Sequence, residues 1–282
     1  MIGLCTDSNA QLPPTLAERY GVEVVALTVT IDGIDHLEGV DLDADTFYAR
    51  MAATPPPEMS TGAPSPGRFA AAYQALSERG ATEILSIHVG SRISGTLNAA
   101  RLAAQSASVP VRLVDTGTAS FAVACCVWEA GEAVARGASV EEAARTAEDV
   151  AGRTDNVFVV KALDLARSGG RLSRAADAAL DDAVIPVLRL VDGAYQAVAR
   201  VGDVAEAADA MAATVVAGGR RLRVGISIAD RAAEPLWQAL EDRLAGEAAV
   251  AELVRYRVGP SVGVHTGPGT AGAMWYETDV GR

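Results

Sequence analysis

Aromatic residues and histidines are scarce in this chain of 282 residues. Aromatic side chains make up 5% of the sequence, so alanine and valine must supply most of the core. Cores of small aliphatic side chains are typical of parallel sheets covered by helices. The three histidines, His36, His88 and His265, lie far apart and have no cysteine at ligand spacing. This pattern excludes a structural or catalytic zinc site, and we expect no bound metal.

Cysteine is also rare. The three residues Cys5, Cys125 and Cys126 form no CxxC motif, and an odd number does not suit a disulfide framework. Free thiols favour a reducing cytoplasmic location. The amino-terminal residues lack the basic region of a signal peptide. The longest uncharged apolar stretch, 116–128, is too short to cross a bilayer, so we expect no stable membrane insertion.

Basic residues are fewer than acidic residues. Lysine and arginine total 24 against 36 acidic residues, which gives a net charge of −12. An acidic surface repels polyanions, and no basic stripe is present to bind nucleic acid. The polybasic segment that attracts proteins to anionic membranes is missing for the same reason.

Strand and helix signals alternate through the first half of the chain. Apolar runs predict strands at 22–31, 83–88 and 111–115, and helices at 66–79 and 120–136. Ser65 and Pro66 supply the cap and first-turn signals for the first of these helices. This alternation predicts a three-layer α/β/α domain with a parallel sheet.

The second half of the chain has a different order of strand and helix signals. Runs at 185–191 and 195–201 around Asp192–Gly193 predict a β-hairpin. Further strands and helices follow, and a run at 262–265 is predicted as the last strand of a mixed sheet. A chain of this length favours two domains. We predict an α/β domain at 1–155 and a mixed α/β domain at 156–282.

The loop from Ser91 to Thr96 lies between a predicted strand and a predicted helix, with Ser94 at the N-cap position. Free backbone N–H groups and the helix dipole favour an anion at such a helix start. Plain capping by Ser94 explains the pattern equally well. The hydroxyl-rich segment 60–65 also precedes a predicted helix. It can likewise be interpreted as an anion-binding segment or as a plain helix cap.

His265 stands at the end of the predicted strand at 262–265, before a turn formed by Gly267, Pro268 and Gly269. We expect this turn to lead into a short helix. Side chains at the carboxyl ends of strands in α/β sheets face the crevice where ligands bind. An incidental histidine beside a glycine-rich turn is the other interpretation.

A further glycine-rich turn at 168–173 carries Arg171. It is not a Walker A loop, because no Gly-Lys-Ser/Thr follows at the required spacing. It also lacks the glycine spacing of a dinucleotide-binding fingerprint, so a nucleotide enzyme is poorly supported.

Five motifs together resemble those of the DegV family of fatty-acid-binding proteins. They are Thr6-Asp7-Ser8, Thr61-Gly62-Ala63-Pro64-Ser65, Ile93-Ser94-Gly95-Thr96, Gly169-Gly170-Arg171-Leu172-Ser173 and His265-Thr266-Gly267-Pro268-Gly269. They occur in order over essentially the whole chain. The second motif departs from the family's Thr-Ser-Gln-Pro-Ser at Gly62 and Ala63.

The resemblance implies two α/β domains and a long apolar tunnel that holds a long-chain fatty acid. The head-group site would lie near the domain interface. The hydroxyls of Thr61 and Ser94 would hold the carboxylate, with His265 supplied by the second domain. The other ligand-binding positions implied by the resemblance are Gly95, Thr96, Thr266, Arg171 and Arg200.

Bacterial members of the family act as the acyl-carrying subunit of fatty acid kinase. The resemblance therefore implies a lipid-binding protein with no catalytic residue of its own and no cofactor, which would present its fatty acid to a kinase subunit that forms an acyl phosphate. After Arg200 the family typically carries a basic stretch, whereas residues 201–206 here are acidic. This departure weakens the case for docking onto a kinase.

Two alternatives remain from the residues. The first is a serine hydrolase that uses Ser94, His265 and an acid such as Asp7 or Asp115, although no Gly-x-Ser-x-Gly elbow surrounds Ser94. The second is a module that binds a small polar ligand such as a phosphate or a sugar. Lipid binding is the better supported interpretation.

Overall fold

The structure is a computed structural model that describes residues 1–160, 184–191 and 194–278. The described chain forms two compact units. The first contains residues 1–43 and 58–153, and the second contains residues 44–57 and the described residues from Thr154 onward. The segment 44–57 therefore belongs with the carboxyl-terminal half of the chain. The proposed domain boundary at 155/156 stays a prediction about separately folding domains.

A four-stranded parallel sheet organises the first unit. Its strand order is β2-β1-β6-β7 and every neighbouring pair is parallel, as predicted. The strands are β1 (Ile2–Asp7), β2 (Glu23–Val25), β6 (Glu83–His88) and β7 (Val111–Asp115). The burial of β1 and β6 along nearly their whole length explains why they read as continuous apolar runs.

Helices pack on this sheet. They are α1 (Pro14–Tyr20), α3 (Pro66–Glu78), α4 (Thr96–Ala104), α5 (Phe121–Ala135) and α6 (Val140–Arg153). A short 3-10 turn, Ser8–Ala10, follows β1. Apolar side chains of α3 and α4 form one core with Cys5 and Ile84 of the sheet. Helices α5 and α6 also contact the sheet, and α5 is buried along most of its length.

Local signals set several of these helix ends. Ser65 is the N-cap residue of α3 and Pro66 occupies its first position, as predicted, although the Ser65 side chain makes no capping bond. Helix α6 begins with a reciprocal pair in which Ser139 N and Oγ donate to Glu142. Glu142 N donates back to Ser139 Oγ at 3.4 Å. Such a capping box satisfies two backbone donors that a helix start leaves open.

A small antiparallel sheet in the first unit was not predicted. Its order is β4-β3-β5, with β3 (Thr28–Ile31), β4 (Ile34–Leu37) and β5 (Met59–Gly62). The single strand predicted at 22–31 is wrong, because the chain leaves the parallel sheet after β2 and enters this second sheet at β3. The next residues, Ile34–Leu37, form β4, for which no strand was predicted.

A six-stranded mixed sheet organises the second unit, which confirms the predicted mixed sheet. Its order is β10-β9-β8-β13-β11-β12, and only β11 and β12 pair in parallel. The strands are β8 (Asp155–Val159), β9 (Ile185–Val191), β10 (Ala194–Val201), β11 (Leu222–Ile228), β12 (Val250–Arg257) and β13 (Ala271–Glu277). The predicted hairpin is the antiparallel pair β9-β10, and its Asp192–Gly193 turn lies outside the described residues.

The second unit also contains helices. They are α2 (Ala44–Met51), α7 (Val204–Val216), α8 (Glu234–Leu244) and α9 (Pro260–Thr266), with a 3-10 turn at Arg231–Ala233 before α8. Side chains of α7 and α8 share one core with β8, β11 and β13. Asp203 caps α7 by accepting a hydrogen bond from Glu206 N at 2.9 Å.

Candidate functional site

The carboxyl ends of β1 and β6 carry a fully buried carboxylate and a fully buried imidazole. Asp7 Oδ2 lies 2.9 Å from His88 Nδ1 and accepts a second hydrogen bond from Val89 N at 3.1 Å. Asp7 Oδ1 accepts a third from Asn9 N at 3.1 Å. Parallel neighbours place these two strand ends side by side, since β1 and β6 are adjacent in the sheet.

The imidazole extends this pair into a chain of four side chains. His88 Nε2 lies 2.6 Å from Ser86 Oγ, which lies 3.0 Å from Tyr73 Oη. An ionised Asp7 only accepts, so His88 Nδ1 must be the donor toward it. With a neutral imidazole, Ser86 then donates to Nε2 and Tyr73 donates to Ser86. Every hydrogen bond of the chain is therefore satisfied in one consistent direction.

This hydrogen-bonded series of side chains contains the residue types of a hydrolase catalytic triad, but it is not accessible to a substrate. Ser86, His88 and Asp7 each have an exposed fraction of 0%, so no substrate reaches the serine in this arrangement. We interpret these hydrogen-bonded side chains as a structural element that fixes the loops that follow β1 and β6. Asp7 accepts from one backbone N–H in the segment after each strand, and Asn9 Oδ1 accepts from Ser120 N at the start of α5.

The loop that follows β6 carries Ser94. Ile93 N and Ser94 N both donate to Gly90 O, and Gly90 N donates to Thr118 O. A Cβ atom built on Gly90 would lie 2.7 Å from the backbone carbon of Gly117, so only glycine permits this close approach. The loop is thus tied to the segment between β7 and α5.

The start of α4 differs from the prediction. Gly95, not Ser94, is the N-cap residue, so the predicted cap position is wrong by one residue. Ser94 Oγ still accepts a bond from Thr96 N at 3.3 Å and lies 2.8 Å from Thr96 Oγ1. The N–H groups of Gly95 and Leu97 form no hydrogen bond with another described residue. They remain available to an anion at this helix start.

Asp115, at the end of β7, fixes the same loop through hydrogen bonds. Its carboxylate accepts from Ser91 Oγ at 2.5 Å, Ser91 N at 3.0 Å and Gly117 N at 3.1 Å. Partial burial acts to raise the pKa of Asp115, but the bonds from Ser91 and Gly117 and the charge of Arg101 outweigh it and lower the pKa.

We expect the contribution of Asp115 to stability to depend on pH. Its folded-state pKa is lowered, so the contribution is complete above the unfolded-state pKa of about 4. It is lost as the pH falls through the folded-state value. The difference in urea midpoint between the wild type and Asp115→Asn should therefore shrink between pH 5 and pH 2, each pH being an approximate bound. A difference that stays constant over this range would contradict the assignment.

Thr61 lies in β5 directly opposite Val29 of β3. Directly opposed side chains of antiparallel strands share a face, and Val29 is completely buried, so half-buried Thr61 is on the covered face of this sheet. A Cβ atom built on Gly95 would lie 3.7 Å from Ala63 Cβ. The segment after Thr61 and the start of α4 are therefore neighbours within the first unit.

His265 and Thr266 belong to the second unit. The strand predicted at 262–265 is wrong, because both residues end helix α9, and the turn at Gly267–Gly269 leads into strand β13. The argument from strand ends therefore does not apply to His265. Both side chains are half-buried, and Thr266 Oγ1 donates to Val262 O at 3.3 Å. The placement of His265 beside Ser94 stays a prediction.

Helix α9 is held closely against α2. A Cβ atom built on Gly263 would lie 2.6 Å from Phe47 Cε1 and 2.7 Å from Tyr48 Oη. Tyr48 Oη also donates to Val258 O at 3.1 Å, just before the helix. The segment that contains α2 thus helps to fix the helix that carries His265.

The two predicted arginines belong to the carboxyl-terminal half of the sequence. Arg200 is exposed on β10, which is an edge strand of the mixed sheet. Arg171, with its glycine-rich turn, lies outside the described residues. The roles of both remain predictions.

Three properties of the described residues bear on chemistry. No group of histidine, cysteine, aspartate and glutamate residues among them could hold a metal ion. The three cysteines are buried and form no disulfide bond, and burial raises the pKa of the Cys5 and Cys126 thiols to about 12. Among the helices in the described part, none has the length and apolar character needed to span a bilayer.

Comparison with known proteins identifies the family. A family model described as an uncharacterised protein of the DegV family matches residues 1–278. The chain belongs to the DegV family. A DegV domain-containing protein of Streptomyces coelicolor is 34% identical over 276 residues, which span 97% of both chains. A DegV domain-containing protein of Mycobacterium bovis is 34% identical over 98% of this chain and 96% of its own.

Solved DegV structures share the fold. A DegV family protein from Thermus thermophilus, described by its fatty acid binding, has a TM-score of 0.84 and 30% sequence identity. The match covers 98% of this chain and 99% of that one. A Thermotoga maritima protein whose structure is described as revealing a fatty acid binding function has a TM-score of 0.81 and 25% identity. That match covers 98% of this chain and 99% of that one.

Residues that position the loops after the parallel strands were not identified from the sequence. Ser86 and His88 lie in the predicted strand 83–88 and were assigned no role at a site, whereas Asp7 appears in the first of the five motifs and, like Asp115, as a possible acid of a hydrolase. A polar residue at each of three strand ends was the available signal, since β1, β6 and β7 end at Asp7, His88 and Asp115. Carboxyl ends of neighbouring parallel strands meet at one edge of the sheet.

Proposed function

We propose that this DegV protein binds a long-chain fatty acid, with the acyl chain buried and the carboxylate held by hydroxyl and backbone N–H donors. The observation that carries the proposal is the match of nearly the whole chain to the Thermus thermophilus protein described by its fatty acid binding. The donor-rich start of α4, beside the Thr61 segment, supports it.

Burial of the acyl chain supplies the driving force. Each methylene removed from water contributes about 0.8 kcal/mol, or about 10 kcal/mol gross for a common fatty acid. Ordering and desolvation costs remove a large part of this gain. We expect an apolar tunnel to hold the chain and a preference for roughly 14–18 carbons, because shorter chains gain too little.

The carboxylate needs donors, since an unpaired buried charge is costly. We assign this role to Thr61, Ser94 and Thr96, together with the N–H groups of Gly95 and Leu97. We further propose that His265 and Thr266 of the second unit contribute to the same head-group site near the interface between the domains. Charge-assisted hydrogen bonds of this kind are roughly twice as strong as neutral ones.

Lipid extraction and native mass spectrometry of the purified protein test the proposal. We expect one free fatty acid per chain to co-purify with the wild type. The double variant Thr61→Ala, Ser94→Ala should lose most of this lipid, because two lost hydrogen bonds to a charged group correspond to about a 100-fold loss of affinity or more.

A matched control is the double variant Ser60→Ala, Ser106→Ala. Ser60 neighbours Thr61 but is exposed, and Ser106 lies beyond the other end of α4, where its Oγ donates to Ala103 O. This control should retain the fatty acid. A wild type that carries no lipid and takes up none when offered would rule out the function, and equal loss in both variants would rule out the head-group assignment.

A finer proposal concerns what happens to the bound lipid. We propose that the protein presents the carboxylate to a kinase subunit, which phosphorylates it to an acyl phosphate, with Arg171 and Arg200 near the head-group end. Arg200 is exposed on an edge strand, but Asp203 and Glu206 follow it and are exposed as well. ATP-dependent acyl phosphate formation by lipid-loaded protein and an added kinase subunit tests this step. We place the protein in the cytoplasm, on the basis of its free cysteines.

The hydrolase alternative has less support in the geometry. Both of the acids considered for it already serve other donors. Asp7 accepts from His88, Val89 and Asn9, and Asp115 accepts from Ser91 and Gly117. No contact among the described residues favours a small polar ligand over a fatty acid.

A further inference from the structure

Two buried polar side chains at the start of α5 carry hydrogen-bond donors that no described residue uses. Asn9 is 8% exposed and Ser120 is 7% exposed. Asn9 Oδ1 accepts from Ser120 N at 3.0 Å, which fixes the orientation of the carboxamide, because a backbone N–H can only donate. Asn9 Nδ2 then has two N–H donors. Within residues 1–160, 184–191 and 194–278, neither they nor the Ser120 hydroxyl form a hydrogen bond.

The backbone of Ser120 has a second unfavourable feature. Its φ of 60° and ψ of −150° lie in a region that glycine adopts readily and other residues rarely adopt. Serine is common at an N-cap because its hydroxyl accepts from the helix, but the Ser120 side chain makes no capping bond. A glycine would relieve the backbone strain, and an alanine would remove the unused hydroxyl. A bound partner of the hydroxyl would account for a serine here, whereas capping does not.

Asn9 and Ser120 lie at the topological switch point of the parallel sheet. The order β2-β1-β6-β7 means that the chain leaves β1 toward one edge and β6 toward the other. Ligands of open α/β sheets bind in the crevice at the carboxyl ends of such a strand pair. Asn9 lies in the 3-10 turn that follows β1. Thr118 O, two residues before Ser120, accepts at 2.8 Å from Gly90 N, which follows β6. The start of α5 is thus tied to the segments after both strands.

The unused groups favour a ligand that accepts hydrogen bonds and carries negative charge. Asn9 Nδ2 and Ser120 Oγ both offer hydrogen, and the amino terminus of a helix attracts anions. The first turn of α5 contains no acidic residue that could take this role. The carboxylate of Asp7 is nearby, but it is already engaged by His88 Nδ1, Val89 N and Asn9 N.

We propose that Asn9 and Ser120 form a binding site for an acceptor-only anionic group, a carboxylate or a phosphate, at the start of α5. Asn9 Nδ2 and Ser120 Oγ donate to this group, and hydrogen bonds to an ionised acceptor are stronger than neutral ones. The group belongs either to the head of the bound lipid or to a free anion. The inference goes beyond the proposed function, because the site binds an anion whether or not that anion carries an acyl chain.

Asn9→Asp tests the amide donor. Aspartate keeps an oxygen for Ser120 N, but it replaces the two N–H donors with a second carboxylate oxygen that repels an anion. Delipidated wild type and variants are titrated separately with hexadecanoate, inorganic phosphate and acetate, and each dissociation constant is measured. We expect the affinity for the anion that occupies the site to fall about 100-fold. The matched control is Asn98→Asp, which makes the same change at an exposed position of α4 and should bind all three anions as the wild type does.

Ser120→Gly separates a binding role from a structural one. Glycine removes the hydroxyl and suits the positive φ, so the midpoint of urea unfolding should stay constant or rise. The affinity for the same anion should nevertheless fall about 10-fold, because one hydrogen bond to a charged group is lost. A purely structural role would change stability and affinity in the same direction.

The three titrations identify the source of the anionic group. Weaker binding of hexadecanoate in both variants assigns the site to the lipid head group, and weaker binding of phosphate or acetate assigns it to a free anion. Unchanged binding of all three anions in both variants would overturn the site, even if the wild type binds hexadecanoate. A wild type that binds phosphate or acetate but no hexadecanoate would overturn the proposed function alone, and one that binds none of the three would overturn both.

Discussion

Replacing Asp7 with alanine is expected to lower the free energy of unfolding of the first unit by about 3–5 kcal/mol. The carboxylate is completely buried and accepts from His88 Nδ1, Val89 N and Asn9 N. Its removal leaves three buried donors without an acceptor, and each unsatisfied donor costs about 1–3 kcal/mol. Hydrogen exchange of the β6 amides, measured as a function of urea concentration, reports this free energy.

The control is Asp35→Ala. Asp35 also accepts a side-chain hydrogen bond, from Thr30 Oγ1 at 2.7 Å, but in an exposed position. Water replaces the lost partner there, so the expected cost is within about 0.5 kcal/mol. Similar costs for the two substitutions would show that the buried chain through Asp7 does not brace the first unit.

Fold prediction from the sequence worked best where burial dictates the pattern. Strands β6, β7 and β9 have the predicted bounds, and the buried run of β6 explains its strong apolar signal. The start of α3 was predictable because Ser65 and Pro66 are local signals that do not depend on packing.

Prediction failed where tertiary contacts decide the local structure. Residues 262–265 read as a strand because two valines flank a glycine, but Pro260 starts a helix that Gly263 allows to pack against Phe47 and Tyr48. Strand β13 was missed for a related reason. A Cβ atom on Gly272 would lie 2.7 Å from Phe158 Cβ, so the glycine that weakens the strand signal is required by β8.

The candidate site was predictable in its residue types more than in its geometry. Ser94 and Thr96 were identified as donors, and their hydroxyls do lie 2.8 Å apart. The adjacency of Ala63 and Gly95 depends on how the small antiparallel sheet packs within the first unit, and no local pattern encodes it.

Replacing Phe69 with alanine is expected to destabilise the first unit by about 3–5 kcal/mol. The ring is completely buried and contacts the ring of His88 edge-on, with centroids 5.0 Å apart. It also lies 6.1 Å from the ring of Tyr73. Because His88 and Tyr73 belong to the polar chain, the cavity left by Phe69 removes packing from both. Hydrogen exchange of the β6 amides again provides the measurement.

Phe69→Leu separates lost volume from lost aromatic contact. Leucine fills most of the space, so a loss of less than about half that of the alanine variant is expected if the cavity dominates. An aromatic pair adds only about 0.5–1.5 kcal/mol beyond the buried area. Equal losses in the leucine and alanine variants would mean that the edge-on contact with His88, and not the filling of the core, is what Phe69 contributes.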